Sequence, residues 1–463
     1  MKIRTLTYFY CFKKHDDVND LLSEIVKALE KANKALLTLS DKYQQKGYEV
    51  QTLRISFNSF EEWYPMDNSN DPFDFLANQN ATKVLLLFEE QLGLSKAMGG
   101  ISFCSFGPAT TMQGLLWLRR LLLCSFVNSS LLITPSSNSS SNSSDVYEDF
   151  PMISQGDVEL CKEAADLCIS LGLMNTDINF KFCVAMNCPP GIPFFPASYA
   201  GQTTTTNHHN SIGIGLENGD LLFLAFHGMN DNYKQASSNL YNTMKQVLLP
   251  IQKIAIENIN NNNAKSVFYN VSYSGIDTSI NPGLDLPDSV GAGLELLHPH
   301  LFGDGGTLPA VSAITAAIKS IAKESSSSSS SSSSNIKTCG YCGLMLPVME
   351  DVILAQRCSG DGTKMDKSSS GSSSSFTPPT IRDLLVLSSV CGVGIDTVPV
   401  SGDVTIESLT KLYIDTAAMA YRLSKPLSVR VLVMDGLKVG DTTDVKSMGA
   451  CGQYLCDTKV LSL

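Results

Sequence analysis

A short phrase occurs twice in this chain. Ser274-Gly275-Ile276-Asp277-Thr278 returns as Val393-Gly394-Ile395-Asp396-Thr397, and each copy is followed by a proline, Pro282 and Pro399. Apolar residues lead into both copies: Val267, Phe268, Tyr269 and Val271 before the first, Leu384 to Leu387 and Val390 before the second. The pattern reads as a strand that ends in an aspartate, twice over. It predicts two related units bringing carboxylates to one face of a sheet or barrel. In α/β folds the ends of strands are where ligands are held.

Around the two copies, strand-like and helix-like periods alternate. Ile3 to Phe9 reads as a strand, and Val18 to Gln45 as a helix with apolar residues at Leu21, Leu22, Ile25, Val26, Leu29, Ala32, Leu36 and Leu39. Val50 to Phe57, Gly100 to Phe106, Ser125 to Ile133, Lys181 to Met186, Ile212 to Leu216, Leu221 to Phe226 and Leu427 to Met434 read as further strands. Helices are expected near 109–123, 157–171, 233–257, 288–297, 309–322 and 406–423. Such alternation predicts an α/β fold with a largely covered sheet. With two related aspartate units, a closed barrel of two half-barrels is favoured over an open sheet.

Polar tracts at 136–144, 260–263, 325–334 and 368–375 interrupt the pattern. Such tracts bury no apolar area, and lengthening a loop costs little closure entropy. They read as loop expansions within a single large domain spanning residues 1–463, because patterned elements continue on both sides.

Charge narrows the partners. A net charge of −11 and a pI near 5.1, without a basic stripe, argue against nucleic acid. No apolar run reaches the roughly 18 residues of a membrane span, and Arg119-Arg120 break the nearest one, Leu115 to Val127. The first nine residues lack the charged-then-apolar layout of a signal peptide, which predicts a cytoplasmic protein. Thirteen cysteines scattered over the chain do not make a disulfide framework.

Several groups are candidates for chemistry. Asp277 and Asp396 could hold a divalent metal through oxygen or divide acid and base roles, or each could cap a turn. Gly303, Gly305, Gly306 and Thr307 run into a helix whose free N–H groups suit an anion; the alternative is an ordinary loop leading into a helix. Glu350, Asp351 and Arg357 are expected on one short helix, where the guanidinium could clamp a substrate carboxylate or form a structural ion pair. Cys339 and Cys342 form a lone C-x-x-C without the further ligands zinc needs. His208 and His209 lie in a Thr- and Asn-rich loop. No pattern identifies a cofactor or a metal.

Longer motifs carry a resemblance. Gly343-Leu344-Met345-Leu346-Pro347-Val348-Met349-Glu350-Asp351, Leu354-Ala355-Gln356-Arg357 and Ile381-Arg382-Asp383-Leu384-Leu385 are followed by the second Gly-Ile-Asp-Thr copy. Together with Pro193-Phe194-Phe195-Pro196-Ala197-Ser198-Tyr199 and Lys425-Pro426-Leu427-Ser428-Val429-Arg430, they resemble domain-of-unknown-function family 711. The resemblance implies the ten-stranded α/β barrel of pyruvate formate-lyase-like glycyl radical enzymes. It does not imply their reaction, because the Arg-Val-Ser-Gly-Tyr-type glycyl loop has no counterpart in the C-terminal tail. In such a barrel a cysteine loop enters the centre, so Cys391 could be a nucleophile or a relic of radical chemistry. A buried small hydrophobe is the alternative.

The reading is therefore an enzyme, with Asp277, Asp396 and Cys391 as catalytic candidates, acting on a small anionic metabolite without radical chemistry. A non-catalytic metabolite-binding or regulatory protein is the alternative. Neither reading conflicts with a homo-oligomer.

Overall fold

A computed structural model describes residues 1–66, 78–135, 152–201, 210–259, 263, 265–297, 300–327, 335–363 and 376–463. The tracts at 136–144 and 368–375, most of those at 260–263 and 325–334, and His208 and His209 lie outside the described residues.

Among the described residues the chain forms a nine-stranded mixed sheet with helices. The strands are β1 (Lys2–Tyr10), β2 (Val50–Phe57), β3 (Phe103–Ala109), β4 (Val127–Ile133), β5 (Phe182–Met186), β6 (Asn210–Glu217), β7 (Val271–Ile276), β8 (Gly394–Ser401) and β9 (Leu427–Met434). Their order is β7-β6-β1-β2-β3-β4-β5-β9-β8. Strands β1 to β5 are mutually parallel, while β6 and β9 run antiparallel to β1 and β5. β7 then follows β6 in parallel and β8 follows β9. Two oppositely directed groups thus meet twice, and the carboxyl ends of the second group share a rim with the amino ends of the first. Beyond the two edges, Thr338 and Leu344 bridge in parallel to Ile276 and Ile280, and Pro347 bridges to Asp396.

Alternation along the strands separates two environments. In β2, Leu53, Ile55 and Phe57 enter the main apolar core, and Thr52, Arg54 and Ser56 take the other face. The helix Val18–Gln44 packs on β1 and β2 through Leu21, Ile25, Ala28, Leu29, Ala32, Leu36 and Leu39. Each fully buried Leu or Ile there contributes roughly 1.5–3 kcal/mol. Asp17 starts this helix by accepting from the Asn19 N–H. No helix among the described residues is long and apolar enough to cross a membrane.

Two expectations need correction. Leu221 to Phe226 belongs to a helix, Asp220–Phe226, and is not a strand. Leu221, Leu222, Ala225 and Phe226 are buried while Leu224 is exposed, which is a helical face. A short continuous apolar run does not reveal that period.

The second correction concerns the repeated phrase. Asp277 follows the end of β7, but Asp396 lies near the start of β8. The apolar run before the second copy is the helix Ile381–Cys391, opened by a Thr380–Asp383 capping box and closed by left-handed Gly392, φ +95°. Leu384, Leu387, Ser388 and Cys391 are its buried face, at spacings of three and four. The two copies are alike in sequence and sit at opposite ends of their strands.

Candidate functional site

A cavity of about 800 Å³ is lined from the first residues of β1 to β5, the end of β6, the loop after β7, and the early parts of β8 and β9. One wall is the segment Pro193–Ser198, drawn in by the polar face of the sheet. The Thr7 hydroxyl donates to the Pro193 carbonyl at 2.9 Å, and the Ser105 hydroxyl to the Ser198 carbonyl at 2.7 Å. The Ser198 hydroxyl donates to Ser56 Oγ at 3.0 Å. Phe194 and Phe195 are thereby set into the wall. Gly215 on β6 makes room, since a Cβ there would lie 2.9 Å from the Phe194 ring.

The cavity lining also carries an alternating chain of charges. Arg430 donates through Nε to Asp396 Oδ1 at 2.6 Å and through Nη2 to Glu350 Oε1 at 2.7 Å. Arg4 lies 3.5 Å from Glu350 Oε2 and donates to Glu217 at 3.0 Å. Lys2 bridges Glu217 at 2.8 Å and Asp288 at 3.0 Å. Burial opposes the Arg430 charge, yet Asp396 and Glu350 outweigh it and hold the guanidinium more firmly protonated than usual. Burial raises the Glu350 carboxyl above its ordinary range, against the pull of Arg430.

Arg54 stands apart from this chain. Its Nε donates to Thr52 Oγ1 at 3.0 Å, its guanidinium lies over the Phe195 ring at 5.1 Å, and no described carboxylate pairs with it. Burial, together with the neighbouring charge of Arg4, lowers it to about 9. A guanidinium does not give up its proton there. Burial and the like charge of Arg4 make its positive charge costly to hold.

The sequence candidates fall into two groups. Asp396 and Glu350 line the cavity together. Asp277, Cys391, Arg357 and the Gly303–Thr307 loop are not among its lining residues. Asp277 is fully buried and accepts from Tyr341 N at 2.8 Å, Cys342 N and Ser279 N at 3.0 Å, and Ser279 Oγ at 2.6 Å. It therefore anchors the Cys339–Cys342 turn. Burial raises its carboxyl, and the Ser279 hydroxyl opposes the rise.

Cys391 is fully buried at the end of its helix, and its carbonyl accepts from Leu344 N at 2.9 Å. Arg357 pairs with Glu295. Glu350 and Arg357 do not share a helix: Glu350 ends a 3₁₀ turn, and Asp351 caps the next helix, Val352–Cys358. Asp351 accepts from five groups, Ser289 Oγ and the N–H groups of Val290, Gly291, Ile353 and Leu354. Thr307 Oγ1 accepts from Gly303 N at 3.0 Å and donates to the Asp304 carbonyl at 2.9 Å, closing the glycine loop on itself. Gly305 and Gly306 lie within that loop. Among the described residues no three His, Cys, Asp or Glu stand together as metal ligands.

Arg54, Arg4, Glu217 and Lys96 were not singled out from the sequence, although a signal existed. Arg54 interrupts Leu53-Arg54-Ile55 and Arg430 interrupts Val429-Arg430-Val431. A charge inside an apolar strand marks a face that is not packed with hydrocarbon.

Residues 157–446 match the model of a family described as "Uncharacterised ACR (DUF711)". A UPF0210 protein of Pyrobaculum arsenaticum is 24% identical over 290 residues, 62% of this chain and 56% of its own length. Another from Pyrobaculum aerophilum is 24% identical over 295 residues, with the same coverage of each chain. One from Listeria monocytogenes is 26% identical over 178 residues, 38% of this chain and 33% of the relative. The chain thus spans little more than half the length of the Pyrobaculum relatives. With the family match extending over more than half of its residues, the chain belongs to this uncharacterised family.

Proposed function

We propose that the protein is an enzyme whose cavity binds a small anionic metabolite and moves a proton on it, without radical chemistry. Arg54 carries this reading. A cavity guanidinium with no described carboxylate at ion-pair distance suits an anion, because a charge drawn from bulk water is costly unless paired. A carboxylate or phosphate would receive its two free Nη groups as a fork. Glu350 is then the proton donor or acceptor, raised by burial toward the working range of a general acid. Asp396 holds Arg430 in place beside it. Supporting a closed ten-stave barrel around the cavity, the segment 338–347 bridges to β7 at one end and β8 at the other.

The test has two stages. Calorimetry with sulfate and with small carboxylates should show binding by the wild type, weakened at least tenfold in Arg54→Gln. Incubation with a metabolite extract, followed by mass spectrometry, should show an anion consumed by the wild type and spared by Glu350→Gln. Binding without consumption would leave a non-catalytic binding protein, and an Arg54-independent affinity would remove the site.

A further inference from the structure

We infer that the ligand carries two acidic groups, one held by Arg54 inside the cavity and the other by Lys96 at its rim; this rests on the anion-site reading above. The cations lining the cavity are Lys2, Arg4, Arg54, Lys96, Lys181 and Arg430. Three have carboxylate partners: Lys2, Arg4 and Arg430. Lys181 donates to the carbonyls of Leu122 at 2.6 Å and Cys124 at 2.7 Å. Arg54 and Lys96 remain without an anion among the described residues.

The two meet the same stretch of the cavity wall, Arg54 beside the Phe195 ring and Lys96 beside the Phe103 ring. Arg54 on β2 is in parallel register with Phe103 on β3. The Lys96 ammonium, from the last turn of the helix Gln79–Ala97, stands 5.6 Å from the centre of the Phe103 ring and 5.8 Å from that of Phe126. Both rings line the cavity, so Lys96 is turned toward the rim although its side chain is exposed. A cation–π contact steadies an exposed ammonium only weakly and leaves its charge unneutralised.

The arrangement is cation, apolar ring, cation. Adjacent strands lie about 4.8 Å apart, so the Arg54 side chain and an ammonium held at the Phe103 ring are within reach of one short, flexible ligand. A ligand that reaches both cations carries two acidic groups joined by a short chain of methylenes, for which the apolar Phe103 ring is a suitable surface. A monoacid satisfies one cation and leaves the other. A short-chain diacid satisfies both.

Calorimetry with succinate, glutarate and adipate, against butyrate, valerate and hexanoate, tests this directly. The best diacid should bind the wild type at least tenfold more tightly than the monoacid of equal length. Lys96→Gln should abolish that advantage and leave monoacid affinity within twofold, with an unchanged melting temperature because Lys96 is exposed. Lys96→Arg should restore it. Arg54→Gln should weaken both classes. Equal affinity for diacids and monoacids, or a diacid advantage that survives Lys96→Gln, overturns the inference while Arg54-dependent monoacid binding upholds the anion site. Failure of every acid and of sulfate to bind overturns both.

Discussion

Arg357 and Glu295 meet as a buried bidentate pair, with Nε 2.6 Å from Oε1 and Nη2 2.8 Å from Oε2. The arginine is fully buried, and its Nη1 donates to the Asp361 carbonyl at 2.7 Å. Glu295 also accepts from Phe302 N at 3.0 Å, so the pair fastens the chain leading into the Gly303 loop. Arg357→Met should cost about 3–5 kcal/mol, since it leaves a carboxylate buried without its partner. Arg357→Met combined with Glu295→Leu should recover most of that loss. Urea unfolding of the single and double variants is the check, and equal losses in both would show that the two side chains do not act as a unit.

Gly340 should not tolerate a side chain. Its φ is +80°, and a Cβ would lie 2.1 Å from Asp277 Oδ2. Gly47 has a similar φ of +84° with open space around it. Gly47→Ala should cost roughly 1–2 kcal/mol from backbone strain alone. Gly340→Ala should cost more, because it also dislodges the carboxylate that anchors the turn. Equal losses in denaturant would mean that the Asp277 contacts contribute little.

Acid should strengthen anion binding through Glu350. Its folded-state pKa is raised above 4.5 by burial, so the native carboxyl takes up a proton before the unfolded one does. Protonation removes a negative charge beside Arg430 and Arg4, and sulfate, which does not titrate there, should bind more tightly as pH falls through that value. The stability linked to this group has the same sign: full below about 4.5 and lost as pH rises through the folded pKa. Glu350→Gln should flatten both dependences. A sulfate affinity whose pH profile is the same in wild type and variant would count against Glu350.

Asp396→Asn should keep the fold, because the amide oxygen can still accept from Arg430 Nε. It should hold sulfate at least as tightly as the wild type, having lost a neighbouring negative charge. If the pair serves catalysis, turnover of the metabolite consumed by the wild type should fall at least a hundredfold. Unchanged turnover would reduce Asp396 to a structural partner of Arg430.

What the sequence determined by itself is short-range. Val18–Gln44, Ile406–Leu423 and Leu427–Met434 lie within one residue of where periodicity placed them, because buried faces and caps repeat over a few residues. The α/β class follows from the same periods, whereas the apolar run before the second Gly-Ile-Asp-Thr copy is a helical face that a short window does not distinguish from a strand. The meeting of charges was decided by the tertiary structure. Asp396, Arg430 and Glu350 come from separate segments, and Asp277 differs from Asp396 in role because its oxygens are filled by the Cys339–Cys342 turn. Arg54 and Lys96 acquire meaning from the β2–β3 register, which pairs Arg54 with Phe103, and from the helix Gln79–Ala97, which brings Lys96 to the Phe103 ring. Register and chain crossing are long-range properties, fixed by packing that no local pattern encodes.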